Sequence, residues 1–354
     1  MSGIGVSLRG LGREFQRLTT GDLNPAELLV AAADRIAQVV PHDGCCVSRA
    51  DPGTLVLVDT WTAGIPAEEF ATAFYECEHG PPDYGCHRHL VADRGHAAVL
   101  SALTRGEPSR SARYRRLLAP MGVERELRAA AVEGGAPWGF IHLYRRRGRR
   151  DFDANELAGV RRAAPMLAAA LRAAAMRGSD WPASIRRRAM GPEDTVTILV
   201  DRDLNVVGWA GRAQEWLAAM REPGGPERAV PVAVMSIVLG ALAGAASKRV
   251  RVLAPTGAWW LLSAARLEDA AHVDTVVVTA VPARGAALTD VMMLALGLTR
   301  GERNVCELVL AGASTKLIAQ TLSLSTYTVQ DRLKSIFAKA RVGSRGQLVA
   351  LLRE

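Results

Sequence analysis

Residues 314–340 read STKLIAQTLSLSTYTVQDRLKSIFAKA, and the architecture of the C-terminal part of the chain follows from them. Ser314 and Ser325 each stand where a helix N-cap is needed, eleven residues apart. The first helix they open buries Ile318, Ala319 and Leu322, and Ser323-Leu324 forms the turn. In the second helix Val329, Leu333, Ile336 and Phe337 fall at i, i+4, i+7 and i+8, a single buried face. The opposite face presents Tyr327, Gln330, Asp331, Lys334 and Ala338. Upstream, Thr299-Arg300-Gly301-Glu302 reads as a capping box that opens a helix burying Val305, Leu308 and Val309. Gly312 suits the left-handed end of that helix. Downstream, Ser344-Arg345-Gly346-Gln347 reads as a second box, followed by Leu348, Val349 and Leu352. Residues 294–354 are thus expected to form an all-α, four-helix unit.

Two short helices joined by a tight turn, the second exposing polar side chains near its start, suit insertion into the major groove of DNA. Gln330 can bond adenine N6 and N7, Asp331 can accept from cytosine N4, and Lys334 can donate to guanine. Lys316, Thr326 and Thr328 are better placed for phosphates, with Ser325 and Tyr327 beside them on the same surface. Charge agrees: residues 294–354 hold nine Lys and Arg against four Asp and Glu, in a chain of net charge +8.

The same residues carry a family resemblance. Leu298-Thr299-Arg300-Gly301-Glu302, Ala311-Gly312, Ile318-Ala319, Leu322, Ser325, Thr328-Val329, Ile336-Phe337, Lys339, Val342, Ser344-Arg345 and Leu348-Val349 resemble the LuxR-type helix-turn-helix. The resemblance implies sequence-specific binding of double-stranded DNA and regulation of transcription. It also implies a dimer contact through Leu348, Val349 and Leu352 of the fourth helix. Two places depart from the family pattern: Gly301 replaces a commonly charged residue, and Asp331-Arg332 stand where a basic or apolar residue and a histidine are frequent. The base preference of the family therefore does not carry over.

Outward from this unit, two α+β blocks precede it. The first, 1–178, reads as helix (26–39), hairpin (45–48 and 55–60 around Pro52-Gly53), irregular middle, hairpin (127–133 and 138–144 around Gly134-Gly135), then a long helix (154–176) capped by Asp153 and Glu156. Its order, and the run Trp138-Gly139-Phe140-Ile141-His142-Leu143-Tyr144 followed by Asp151-Phe152-Asp153, resemble a GAF sensory domain. The second block, 195–282, has five short strands and two helices and resembles a PAS-like domain. Residues 179–194, interrupted by Pro182, Gly191 and Pro192, read as a linker, and 283–293 as another. The long helix carries Ala, Leu and Met along one side, which suits either a dimer seam or packing on its own sheet.

Several groups in the front blocks invite a sharper reading. Trp61, Tyr75, Tyr84 and Tyr114 could line a small-molecule pocket or simply fill the core. Trp209, Trp216, Trp259 and Trp260 read chiefly as core. Cys77, His79, Cys86, His87 and His89 are metal-ligand types, but their spacing matches no closed zinc pattern, and Pro81-Pro82 with Gly85 suggests an irregular loop, so neither metal nor other cofactor is expected. The run Arg145 to Arg150 reads as a solvated hairpin end.

No glycine-rich phosphate loop, nucleophile elbow or His-Glu-x-x-His helix is present, so no enzyme activity is expected. The five cysteines, an odd number, do not form a disulfide framework, and the N-terminus lacks the basic start and apolar block of a signal peptide. With no apolar run long enough to span a membrane, a cytoplasmic location is expected. The expected partners are DNA, a second copy of the chain, an unidentified small-molecule effector and RNA polymerase. The competing organisation keeps the DNA-binding tail but makes the front blocks a ligand-free scaffold for dimerisation or protein contacts.

Overall fold

The computed structural model describes residues 7–178, 194–220, 230–244, 249–268, 274–283 and 285–353. Gly134 and Gly135 take φ of +60° and +80°, which closes a tight reversal between β4 (Val123–Glu133) and β5 (Ala136–Arg146). β5 pairs on its other edge with β1 (Gly44–Ala50), β1 with β2 (Leu57–Ala63), and β4 with β3 (Ala97–Val99). The result is an antiparallel sheet of order β2-β1-β5-β4-β3. Every residue of β1 is buried, because this central strand is covered on both faces. Gly139 permits a close approach: a Cβ there would lie 2.2 Å from the Ser48 carbonyl oxygen.

One face of this sheet carries α1 (Leu11–Thr20), α2 (Pro25–Ala37) and the long α6 (Ala154–Gly178). Leu28, Leu29, Ile36, Val47, Ile141, Leu167 and Leu171 share one core there. Asp153 caps α6 as expected, with Asp153 Oδ1 accepting from the Glu156 amide at 2.9 Å and Glu156 Oε2 accepting from the Asp153 amide at 3.0 Å. Of the two uses open to the apolar side of α6, the chain adopts packing on its own sheet: Ala163, Ala164, Leu167, Leu171 and Ala174 are all buried in that core.

The other face corrects the sequence reading. The expected irregular middle contains α3 (Ala67–His79), α4 (His87–Ala92), the short α5 (Leu100–Leu103) and β3. Phe70, Ala71, Phe74 and Tyr75 recur at helical spacing and turn one face of α3 into the core. The stretch around Pro81-Pro82 is a loop, as these prolines impose.

A second antiparallel sheet repeats the strand order of the first. Its strands are β6 (Val196–Val200), β7 (Val206–Ala210), β8 (Val250–Leu253), β9 (Trp259–Arg266) and β10 (Val276–Pro282), in the order β7-β6-β10-β9-β8. The described helices are α7 (Ala213–Ala219) and α8 (Val232–Leu242). From Ala233 to Gly240 every residue of α8 is buried. A helix with no polar face must be covered all round, and α8 is: it packs on β9 and β10 of its own sheet and on β2 and α3 of the first. Ser236 Oγ donates to the Leu57 carbonyl at 2.8 Å, and Gly240 lies against the His79 ring, which a Cβ would meet at 3.3 Å. One apolar core therefore runs through both sheets.

Residues 179–193 of the first expected linker lie outside the described residues. The second is not a linker in structure: 286–295 is helix α9 (Ala286–Ala295). Leu288, Val291, Met292 and Ala295, at i, i+3, i+4 and i+7, are buried, and it is this periodicity that makes the segment a helix. Arg172 of α6 donates from Nη1 to the Ala295 carbonyl at 2.7 Å, fixing the far end of α9. Among the described residues, no helix is long and apolar enough to cross a membrane.

Candidate nucleic-acid interface

The last four helices are α10 (Arg300–Leu310), α11 (Thr315–Thr321), α12 (Thr326–Ala340) and α13 (Arg345–Arg353). Their starts are set by the expected side chains. Thr299 and Glu302 form the reciprocal box, Ser314 accepts from the Leu317 amide, and Ser325 accepts from the Thr328 amide at 3.0 Å. Gly312 takes φ of +81° after α10, and Ser323 takes +53° in the turn between α11 and α12. Val305, Val309, Ile318, Val329 and Ile336 close the core beneath.

Glu302 does more than cap. Its carboxylate also accepts from Ser335 Oγ at 2.6 Å and Lys339 Nζ at 2.6 Å, both on α12. Burial alone raises a carboxyl's pKa, but Lys339, Ser335 and Thr299 together reverse that and hold Glu302 down at about 2. The carboxylate thereby fixes how α12 sits on α10. Sequence reading caught the cap but not this bridge; the signal available was Ser335 and Lys339 four residues apart, on one side of α12.

The polar face of α12 stands outward. Lys316, Ser325, Thr326, Tyr327, Gln330, Asp331, Lys334 and Ala338 are all exposed, and Thr328 is half-buried with Oγ1 at 2.9 Å from Ser325 Oγ. Lys334 and Asp331 form only a loose pair at 4.0 Å. The two departures from the family pattern turn out to touch. Arg332 donates from Nη1 to the Gly301 carbonyl at 3.2 Å, and a Cβ on residue 301 would sit 3.0 Å from that guanidinium. Gly301 thus leaves room for Arg332 to lie over the first turn of α10.

Two expectations for the fourth helix are corrected. Leu348 and Leu352 are fully buried in the unit's own core, with α13 packed on α9, α10 and α12, and Val349 is half-buried. Leu348 and Leu352 therefore cannot form an external dimer contact in this arrangement. The Ser344 box is half-formed: Ser344 Oγ accepts from the Gln347 amide, but Gln347 reaches the Gly343 amide instead of that of Ser344.

In the front blocks the four aromatic residues do not share a pocket. Trp61 packs on the face of the first sheet covered by α1, α2 and α6, Tyr75 and Tyr114 pack on the opposite face, and Tyr84 is exposed. Trp209 is exposed on β7, whereas Trp216 is buried and meets Trp260 edge-on at 5.8 Å. Arg145 is not solvated: its guanidinium bonds Glu156 at 2.8 Å and lies 4.0 Å from the centre of the Phe152 ring. Arg149 pairs with Asp43, and Arg150 with Asp153 and Glu156. Cys77 and His79 end α3 while His87 and His89 lie in α4, and among the described residues no three His, Cys, Asp or Glu side chains are grouped to hold a metal.

Sequence reading missed a buried charged cluster on the α3 and α4 side. Glu126 and Arg128 on β4, with His142 and Tyr144 on β5, point from paired strands into the same interior. Arg113 pairs with Glu126 at 2.7 Å, Arg128 with Glu78 at 2.7 Å, and Arg128 Nη2 donates to His142 Nε2 at 3.1 Å. His87 lies between Glu78 and His142 and stacks on Phe140 at 3.7 Å. Burial, opposed by Glu78, pushes His87 down to about 3, and burial with Arg128 takes His142 well below its ordinary range. The available signal was polar residues two apart on strands that otherwise read apolar.

Comparison with known proteins agrees with the C-terminal geometry. Residues 296–352 match the family described as GerE, bacterial regulatory proteins, luxR family. Over 54 residues the chain is 44% identical to an Aeromonas salmonicida protein whose name describes an HTH-type transcriptional regulator in the exeN 3′ region. Over 53 residues it is 47% identical to the monoamine regulon transcriptional regulator of Klebsiella aerogenes. Each match covers 15% of this chain and 28% or 23% of the relative, so the chain spans about a quarter of the length of these relatives. The crystal structure of Escherichia coli SdiA aligns over 97% of this chain and 94% of that one at 12% identity, but with a TM-score of 0.32, too low to support any argument about the front blocks. Residues 296–352 form a LuxR-family helix-turn-helix domain.

Proposed function

We propose that this chain, which ends in a LuxR-family domain, is a transcriptional regulator that binds double-stranded DNA in a sequence-specific way. The observation that carries the reading is the exposed polar face of α12, held on α10 by the Glu302 bridge. In this reading Gln330, Asp331 and Lys334 contact base edges, and Lys316, Ser325, Thr326, Tyr327 and Thr328 contact the sugar-phosphate backbone. The excess of basic residues in 294–354 supplies the salt-dependent part of the affinity. The first two blocks are GAF-like and PAS-like sensory units, and their repeated strand order supports that assignment. A signal received there shifts how two copies present their DNA-binding domains to paired half-sites.

A binding selection on genomic fragments with the full-length protein, followed by a salt titration on the best fragment, tests this. A paired half-site bound roughly a thousandfold more tightly than random DNA, the lower end for specific regulators, is the expected outcome. Uniform weak binding by both the full chain and the isolated segment 294–354 would overturn it.

A further inference from the structure

We propose that Arg332 of α12 contacts a backbone phosphate of the DNA, and that Gly301 of α10 is what presents it. This deepens the reading of α12 as a DNA-binding helix and rests on it. The guanidinium is always charged and carries its N–H donors in a planar fork. Neighbouring cations are partly spent inside the domain: Lys339 is bound by Glu302, Arg303 donates from Nη1 to the Leu298 carbonyl, and Lys334 has Asp331 at 4.0 Å. Arg332 is half-buried, and its one hydrogen bond among the described residues runs from Nη1 to the Gly301 carbonyl at 3.2 Å. Among those residues no carboxylate pairs with it, and Nε and Nη2 have no protein acceptor.

Position on the helix sets the kind of contact. Lys334 lies two residues on, roughly 200° around the helix, so Arg332 does not share the face that reads base edges. Thr328 stands one turn earlier on the same side of α12. Since Thr328 is a phosphate contact in the reading above, Arg332 extends that row towards α10, where Arg300 is also exposed. A guanidinium tethered at one nitrogen keeps the rest of its fork for an anion, and the fork matches two oxygens of a phosphate. The tether lowers the side-chain entropy lost on binding. Gly301 supplies the room for it. A Cβ there would lie 3.0 Å from Arg332 Cζ and Nη1 and 3.2 Å from Nη2, and the flexible end of Arg332 is what would give way. In the first turn of a helix glycine is a poorer choice than alanine, so the space is gained at some cost to α10.

The test is binding of the full-length protein to two labelled duplexes, the selected operator and random DNA, by fluorescence anisotropy across a salt series. Arg332→Ala should weaken binding to both by about tenfold and reduce the slope of log affinity on log salt by about 1. A guanidinium that only staples α12 to α10 would lower Tm and leave that slope as it was. Gly301→Ala should weaken binding by roughly threefold or more without lowering Tm, since alanine favours a helix over glycine, and should add nothing once residue 332 is alanine. Circular dichroism shows whether Arg332→Ala folds; if it does not, Gly301→Ala decides. An unchanged salt slope in Arg332→Ala, a loss confined to the operator, or unaltered affinity in Gly301→Ala overturns the contact. A phosphate contact is made on any sequence, so the random duplex keeps the two readings apart. Absence of a preferred site sinks sequence-specific regulation and leaves Arg332 to be judged on the slope, whereas no binding to either duplex overturns both.

Discussion

Asp51, at the end of β1 in the first sheet, accepts from the backbone amide of Arg251 at 2.8 Å and from its guanidinium at 3.2 Å, across the boundary between the two sheets. The Asp51 side chain has no exposed surface and that of Arg251 has 11%. Removing one partner would leave a buried charge without its counterpart, which costs about 3–5 kcal/mol. Arg251→Ala should therefore destabilise the chain by that order and split urea unfolding into two transitions, as the sheets lose their clamp. A single unshifted transition would show that α8 alone holds them together.

Glu302 fixes α12 through Ser335 and Lys339, so Glu302→Gln should cost about 1–3 kcal/mol at pH 7 and weaken DNA binding at every sequence alike. Its carboxyl is lower in the folded state, about 2, than its ordinary 4.5. The stabilisation is thus complete above pH 4.5 and is lost as pH falls towards 2. Denaturation of wild type and variant should converge over that window, and a gap that stays constant down to pH 2 would remove the electrostatic account.

Leu348 is part of the core, not of an outer contact. Leu348→Ala should lower stability by about 2–5 kcal/mol, the usual cost of a leucine cavity. The oligomeric state of the protein that remains folded should be unchanged by sedimentation. A variant of wild-type stability that has become monomeric would return this residue to the interface.

Lys334 is 81% exposed and free to reach a base. Lys334→Ala should weaken binding to the selected operator by about 1–3 kcal/mol and relax preference at one position. Equal loss on all sequences, with a shallower salt slope, would make it a phosphate contact instead.

His87 and His142 are both lowered by burial from an ordinary value of 6.5, His87 to about 3. Their unfolded rings take up protons first, so stability is undiminished above pH 6.5 and falls as pH drops towards 3. Two protons correspond to about 2.7 kcal/mol per pH unit in that range. His142→Gln should remove about half of this slope, and a slope unaffected by the change would mean that the rings are not buried neutral.

The C-terminal domain was legible because each of its signals is local. Caps at Thr299, Ser314 and Ser325 and the spacing of Val329, Leu333 and Ile336 lie within one turn or two of what they determine. The hairpins were legible for the same reason, since Gly134-Gly135 and the alternation of Val196, Ile198 and Val200 are read locally, whereas β3 and the order of the strands were not. What escaped depends on distance along the chain. Glu302 meets Lys339, Glu78 meets Arg128, and Asp51 meets Arg251 only after folding, and no spacing rule links such pairs. The aromatic pocket failed because residue type says nothing of which sheet face a ring takes. Leu348 and Leu352 were read for an interface because a leucine is as apt for a core as for an interface, and here they fill the core that α9 helps to build.

The burial of α8 on both sides has a consequence for synthesis on the ribosome. Residues 7–178 leave the exit tunnel before Val232–Leu242 exist, so β2 and α3 must wait with their apolar surface exposed while some sixty further residues are made, a matter of about 3–12 seconds at ordinary elongation rates. During that interval the nascent first domain is a client for chaperones, and a message truncated before codon 232 would leave it permanently without its cover.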